Sequence, residues 1–245
     1  MKIKRLFDLI LSTFGLIFLV PFLLPLIFLI WIQDFHNPFY VANRVGKGNR
    51  KFKLIKLRSM IINADQSGVD STSNTDSRVT KVGKLIRKFK LDELTQLWNV
   101  FLGQMSFVGP RPNVERETNL YTIQEMELLS VRPGITDIAS IVFSDESDIL
   151  EPYQDPDIAY NQLIRPRKNI LAIYYINNQK VNFDLFLIFA TFLAIVNKPA
   201  ALKVLVRKLR RMGANDKIIE IVKRSSKLTP MPPPGSNEIV NSRGI

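Results

Sequence analysis

Cysteine is absent from this chain of 245 residues, and histidine occurs once, at His36. The first absence excludes disulfides, thiolate nucleophiles and zinc–thiolate sites. The second excludes multi-histidine metal centres, and His36, in Asp34-Phe35-His36-Asn37-Pro38, reads as a loop or interfacial residue. Charge is missing between Leu9 and Ile32, where only Ser12 and Thr13 carry hydroxyls. No internal repeat is present. Any chemistry must therefore rest on carboxylates, basic residues and a metal held through oxygen.

The uncharged run would extend about 36 Å as a helix, enough to cross a hydrocarbon core of about 30 Å. It is too long for a signal-peptide core, and no small-residue cleavage site follows it, so it reads as a retained membrane segment. Lys2, Lys4 and Arg5 precede it; Arg44, Lys47, Arg50 and Lys51 follow. Both flanks thus ask for the cytoplasmic side. Pro21 and Pro25 offer a way to turn back, because proline removes a backbone donor and clashes with the preceding turn. A re-entrant hairpin broken at Pro21 is the preferred expectation, and a proline-kinked spanning helix is the alternative. Ser12, Thr13 or water would meet the freed carbonyls.

The net charge of +12 points to nucleic acid or to anionic headgroups, and the apolar segment favours lipid. The length suits one substantial domain with appendages. Residues 39–58 predict short strands around a Gly46-Lys47-Gly48-Asn49 turn. Residues 66–77 read as a polar, mobile loop. Val82–Phe89 has helical spacing, and a second helix is expected from Asp92 to Leu102 with Leu94, Leu97, Trp98 and Phe101 buried. A glutamate-rich helix over 114–130 should end at a turn, Arg132-Pro133-Gly134-Ile135-Thr136. Helical patterns recur over 157–178 and 183–196, the latter fitting a buried or interfacial helix. Residues 202–211 form a basic amphipathic stretch suited to an anionic surface, and the proline-rich end from Pro230 reads as disordered.

The chemistry concentrates in residues 81–112. Asp92-Glu93 follows Arg87, Lys88 and Lys90 directly. Neighbours on a helix point about 100° apart, so the two acids cannot face each other along it. At a helix start they can divide labour, Asp92 near the cap and Glu93 in the first turn, at an end that favours anions. Acids in a first turn are also ordinary capping residues. The surrounding cations and the stiff Pro110-Arg111-Pro112, whose guanidinium fork suits phosphate or a base edge, favour the functional reading. A carboxylate can be a covalent nucleophile toward phosphorus. Magnesium, which takes one or two carboxylates plus substrate phosphates, suits the oxygen-only ligand supply.

These residues resemble the bacterial sugar transferases, the monotopic polyprenyl-phosphate phosphoglycosyl transferases, in their minimal form. The matching segments begin with Lys4-Arg5-Leu6-Phe7-Asp8, Arg44-Val45-Gly46-Lys47 and Phe52-Lys53 through Lys56-Leu57-Arg58-Ser59-Met60. They continue with Arg78-Val79-Thr80-Lys81-Val82-Gly83, Leu91-Asp92-Glu93-Leu94 through Val100, Met105 through Pro112, and Pro133-Gly134-Ile135-Thr136. Coverage is about residues 2–197, and the series is specific.

The resemblance implies transfer of a sugar 1-phosphate from a UDP-sugar to polyprenyl (undecaprenyl) phosphate at the cytoplasmic face of the bacterial inner membrane, with release of UMP. It makes Asp92 the nucleophile and Glu93 a magnesium ligand. Arg58, Arg87 and Arg111 would neutralise the diphosphate, with Pro110-Arg111-Pro112 near the uridine and Pro21 breaking the hairpin. The implied fold is α+β and mainly helical. It has a re-entrant membrane hairpin (1–33), a small cytoplasmic catalytic domain with short strands and interfacial amphipathic helices (34–197), and a basic segment with a disordered tail (198–245). The implied partners are the UDP-sugar, the lipid phosphate and anionic lipids, with no nucleic acid and a homodimer left open. The chain departs from the family's pattern at Thr95, where proline is usual, at Val20, where serine is, and at Asp137-Ile138-Ala139-Ser140, which bears on sugar specificity. The competing readings are a catalytically silent membrane scaffold and a basic lipid- or nucleic-acid-binding module. A helix-turn-helix over 84–98 would set Asp92-Glu93 against DNA phosphates, which disfavours the nucleic-acid form.

Overall fold

The structure, a computed structural model, describes residues 2–64 and 76–241. Most of the 66–77 loop expectation lies outside the described residues. The chain opens on α1 (Lys2–Ile32), one helix that runs unbroken through Pro21 and Pro25. This corrects the expected hairpin break. The reason lies in packing on both sides of the prolines. Leu19, Leu23, Leu26, Ile27 and Ile30 pack with Leu57, Ile86, Leu91 and Leu94, while Gly15 lies against Leu97. A helix held along its length can keep its course through a proline. The Ser12 and Thr13 hydroxyls both donate to the Leu9 carbonyl, so neither serves the carbonyls freed by the prolines.

Both ends of α1 are tied to the same body. Lys4 Nζ lies 2.5 Å from Asp184, and Arg5 donates to the carbonyls of Val100 and Phe101. Asp8 is buried and accepts from Ser106 Oγ and the Phe107 amide. Lys4, Asp8, Ser12, Gly15, Leu19 and Leu23 recur every three or four residues and so form one inner stripe. The opposite face exposes Ile10, Phe14, Ile17, Phe18 and Phe22.

Strands β1 (Phe39–Val45) and β2 (Lys51–Leu57) form an antiparallel hairpin, Phe39 opposite Leu57 and Val45 opposite Lys51. Its turn falls where expected, with Gly48 and Asn49 at φ 66° and 60°. Next come α2 (Lys81–Lys88), a 3₁₀ segment (Leu91–Gln96) and α3 (Leu97–Phe101). The expected helix from Asp92 to Leu102 is therefore divided. Its buried residues include Thr95, Gln96, Leu97, Asn99 and Val100, while Trp98 is exposed. β3 (Ser106–Val108) pairs in parallel with β4 (Gly134–Thr136), where the sequence suggested only a turn. The pairing is tight: a Cβ on Gly134 would meet the Gly109 amide nitrogen at 2.1 Å.

The expected helix over 114–130 is α4 (Glu115–Thr118) plus a 3₁₀ turn (Glu125–Ser130). Thr122 starts the second piece through a capping box: its hydroxyl accepts from the Glu125 amide, and Glu125 accepts from the Thr122 amide. The short α5 (Ile138–Val142), α6 (Glu146–Leu150) and α7 (Pro156–Ala159) follow. The larger core then forms between α5, α8 (Arg165–Asn177), α9 (Val181–Val196), α10 (Lys198–Arg211) and α11 (Asp216–Lys223). A π turn over Tyr160–Ile164 precedes α8. Pro166 has no amide hydrogen to offer the Gln162 carbonyl, and the Met231 amide fills that position at 3.1 Å. The stretch read as a disordered tail is thus docked. Thr122 donates to the Pro234 carbonyl, Gln162 to that of Val240, and Arg167 to that of Thr229.

Candidate active site

The site begins with an unusual strand edge. β2 pairs with β1 on one side, and side chains satisfy part of its other edge. Thr95 Oγ1 donates to the Ile55 carbonyl at 2.9 Å; Asn99 donates to the Lys53 carbonyl and accepts from the Ile55 amide. Thr95, a departure from the family pattern, therefore has a defined structural task. These bonds press the Leu91–Gln96 turn onto β2. Lys90, in the left-handed region at φ 54°, swings the chain out of α2 into that turn.

The result sets Asp92 and Glu93 over Lys56. Lys56 Nζ lies 3.6 Å from Asp92 Oδ2 and 3.4 Å from Glu93 Oε1. The two adjacent acids meet through a shared cation rather than through each other. Arg111 Nη1 donates to Glu93 Oε1 at 3.0 Å. Arg111 is held in place because the Gly109 amide donates to the Thr136 carbonyl and the Gly134 amide to that of Pro110, an extension of the β3–β4 pair.

The two carboxylates differ. Burial pushes Asp92 up, aided by Glu93 and offset only in part by Lys56, Arg87 and Arg111, so its pKa is raised from the ordinary carboxylate value. Burial pushes Glu93 the same way, but Arg111, Lys56 and Lys90 outweigh it and hold Glu93 well below that range. Burial lowers Arg87 and Lys90. The Asp92 carboxylate is 14% exposed and accepts no hydrogen bond from the described residues. Its lone pairs are uncommitted.

A cleft of about 490 Å³ holds Asp92, Lys56, Arg58, Arg87 and Arg111, with Phe39, Tyr40, Ile61 and Ile62 as apolar lining. A second cavity of about 220 Å³ brings in Pro112, Asn113, Glu146, Tyr160 and Lys168. Arg44, Lys56, Arg87 and Arg111 line both. Pro110 faces a smaller recess with Asp137 and Lys168. Asp137 caps α5, accepting from the Ser140 amide and hydroxyl.

The structure thus gathers Asp92, Glu93, Arg87 and Arg111, and it flanks Arg111 with Pro110 and Pro112 at neighbouring cavities. Arg58 lines the cleft, but its guanidinium is engaged in two bonds to Asp34, at 2.5 and 2.6 Å. Pro21 lies within the unbroken α1, not at the site. Lys56, Arg44, Tyr160 and Lys168 were not singled out from the sequence. Lys56 left a trace, since it lies in phase with Phe52 and Leu54 on a strand and so shares their face. Lys168 and its partner Glu146 are 22 residues apart and left none.

Among the described residues, no three His, Cys, Asp or Glu cluster as a self-sufficient metal site. Asp92 and Glu93 supply adjacent oxygens, and Glu93 Oε2 accepts no hydrogen bond from the described residues. That donor set fits magnesium, which completes its shell with water and substrate phosphate.

Fold and cleft together define a class: an α-rich domain lying along one apolar helix, with a buried, uncommitted carboxylate among cations suited to phosphate. The chain belongs to the bacterial sugar transferase family, whose model matches residues 1–198. It is 34% identical over 201 residues to the UDP-N-acetylgalactosamine-undecaprenyl-phosphate N-acetylgalactosaminephosphotransferase of Aeromonas hydrophila, covering 79% of this chain and 44% of that protein. It is 36% identical over 205 residues to the UDP-glucose:undecaprenyl-phosphate glucose-1-phosphate transferase of Klebsiella pneumoniae, covering 82% and 42%. The exopolysaccharide production protein ExoY of Sinorhizobium fredii is 32% identical over 207 residues, covering 78% and 84%. The chain spans less than half the length of the first two relatives and most of ExoY.

Proposed function

We propose that this protein is a membrane-bound phosphoglycosyl transferase that moves a sugar 1-phosphate from a UDP-sugar to undecaprenyl phosphate, priming a polysaccharide or glycoconjugate. The observation that carries this reading is the Asp92 carboxylate, uncommitted and nearly buried, beside Lys56, Arg87 and Arg111. In the first displacement an Asp92 oxygen attacks the sugar-bearing phosphorus. The bond from that phosphorus to the bridging oxygen breaks, and UMP leaves with the electron pair. In the second, an oxygen of undecaprenyl phosphate attacks the same phosphorus of the aspartyl phosphosugar. The bond to Asp92 breaks and the carboxylate is restored. Each step exchanges one anionic oxygen for another, so neither needs a proton removed once Asp92 is ionised. Lys56, Arg87 and Arg111 neutralise phosphoryl oxygens as charge moves among them. Magnesium bound by Glu93 and substrate phosphate would supply further neutralisation.

Topology follows the same reading. The inner stripe of α1 ties both its ends to one body, which supports a helix held in one leaflet at the cytoplasmic face, with its outer apolar face in lipid. Residues 1–33 then anchor and 34–197 catalyse, with α10 and α11 packed into the same core. The test uses protein in nanodiscs with undecaprenyl phosphate, magnesium and a panel of UDP-sugars. UMP and lipid-linked sugar from wild type, both lost in Asp92→Asn, are expected. A well-folded wild type that releases no UMP with any donor would leave the scaffold reading in its place.

A further inference from the structure

α9 carries Leu185, Phe189, Phe192 and Val196 three or four residues apart, on one face, with exposures from 48% to 86%. That face runs toward Asn197, whose side chain caps α10 by accepting from the Ala200 amide. There the surface changes character within two residues. Pro199, Leu202 and Val206 floor a groove of about 870 Å³ rimmed by Lys203, Arg207, Arg210, Arg211 and Lys223. Asp145 is the groove's one acid, and it is already paired with Lys198 at 2.7 Å and with Arg224. None of the five rim cations has an ion-pair partner among the described residues. An apolar floor under a cationic rim matches a lipid headgroup, with phosphate at the rim and the first carbons below it.

Continuity with α1 selects the occupant. The Lys4–Asp184 pair joins the start of α1 to the start of α9, so the two apolar faces belong to adjoining helices of one body. A bilayer surface that covers α9 brings its headgroups to the groove at the other end of that helix. The residues matched by the family model end at 198, and α10 and α11 lie almost wholly beyond them.

We infer that α10 and α11 form a binding site for the phosphate headgroups of anionic lipids, a second membrane contact separate from α1. This site does not depend on the proposed reaction. The test is amide hydrogen exchange of the full chain in phosphatidylcholine nanodiscs with and without phosphatidylglycerol. Phosphatidylglycerol is expected to slow exchange in residues 198–224 at least about fivefold, the scale of one basic residue at an anionic surface. The variant Lys203→Gln/Arg207→Gln/Arg210→Gln/Arg211→Gln should lose that protection at unchanged Tm. Should this variant fold poorly, Arg207→Gln/Arg210→Gln serves the same comparison. Equal exchange in both nanodiscs overturns the inference. So does a groove-dependent gel shift of duplex DNA without any phosphatidylglycerol effect, which would assign the groove to nucleic acid.

Discussion

Two carboxylate–cation clusters in this protein make an instructive pair. Glu125 is fully buried, and its oxygens accept from Arg165 at 2.9 Å, the Thr122 amide at 3.0 Å and Asn169 at 2.5 Å. Asp92 is nearly as enclosed, yet among the described residues its nearest cation is Lys56 at 3.6 Å and no donor bonds to its carboxylate. Both would read as buried ion pairs in a contact map. One has spent its lone pairs on the fold, and the other has kept them. A saturated carboxylate holds elements together; an unsaturated one costs stability and is available for bond formation.

That contrast breaks most sharply at Asp92. Asp92→Asn should lower UMP release by at least about 10³-fold. The sign of its stability effect is opposite to that of an ordinary ion pair. A folded pKa above the unfolded one means that the ionised form penalises the native state, fully so above the folded pKa and less as pH falls through it. Asp92→Asn should therefore leave Tm unchanged or raised at neutral pH, as read by calorimetry.

Glu125→Ala should do the reverse, costing about 3–5 kcal/mol by stranding Arg165, with chemical denaturation as the measure. Lys56→Met should reduce kcat by about 10²-fold. It should also move the acid limb of the pH–rate profile to higher pH, because the proposed nucleophile, Asp92, must be ionised and Lys56 favours that form. An unmoved limb would assign it to another group. The smallest effect is expected at the chain end. Removal from Pro230 onward should leave turnover nearly unchanged while losing about 1 kcal/mol per bond, a Tm drop of roughly 2–4 °C each in a thermal melt.

The contrast also explains what could be read from the sequence. Asp92, Glu93, Arg87 and Arg111 were legible because cations and acids crowd a short stretch, and the β1–β2 turn because its glycines and Asn49 permit positive φ. The apolar run was legible as a helix, but its course through Pro21 depends on Leu57, Ile86 and Leu97, which are distant in sequence. The division of 92–102 was hidden for the same reason: Thr95 and Asn99 are buried to bond β2, while Trp98, an apparent core residue, lies outside. β4 and the Glu125 cluster rest on pairings with Ser106 and Arg165 that no local pattern announces. The tail looked disordered by composition, yet Pro166 leaves a carbonyl that Met231 can serve.

The Lys4–Asp184 pair sets an order of events during synthesis. Its partners are 180 positions apart. At ordinary translation speeds Lys4 is joined to the chain on the order of 10–40 s before Asp184 exists. The newborn helix therefore exists well before the domain that closes along it. Closure along α1 is thus a late step of maturation, and the Lys4 clasp one of the last.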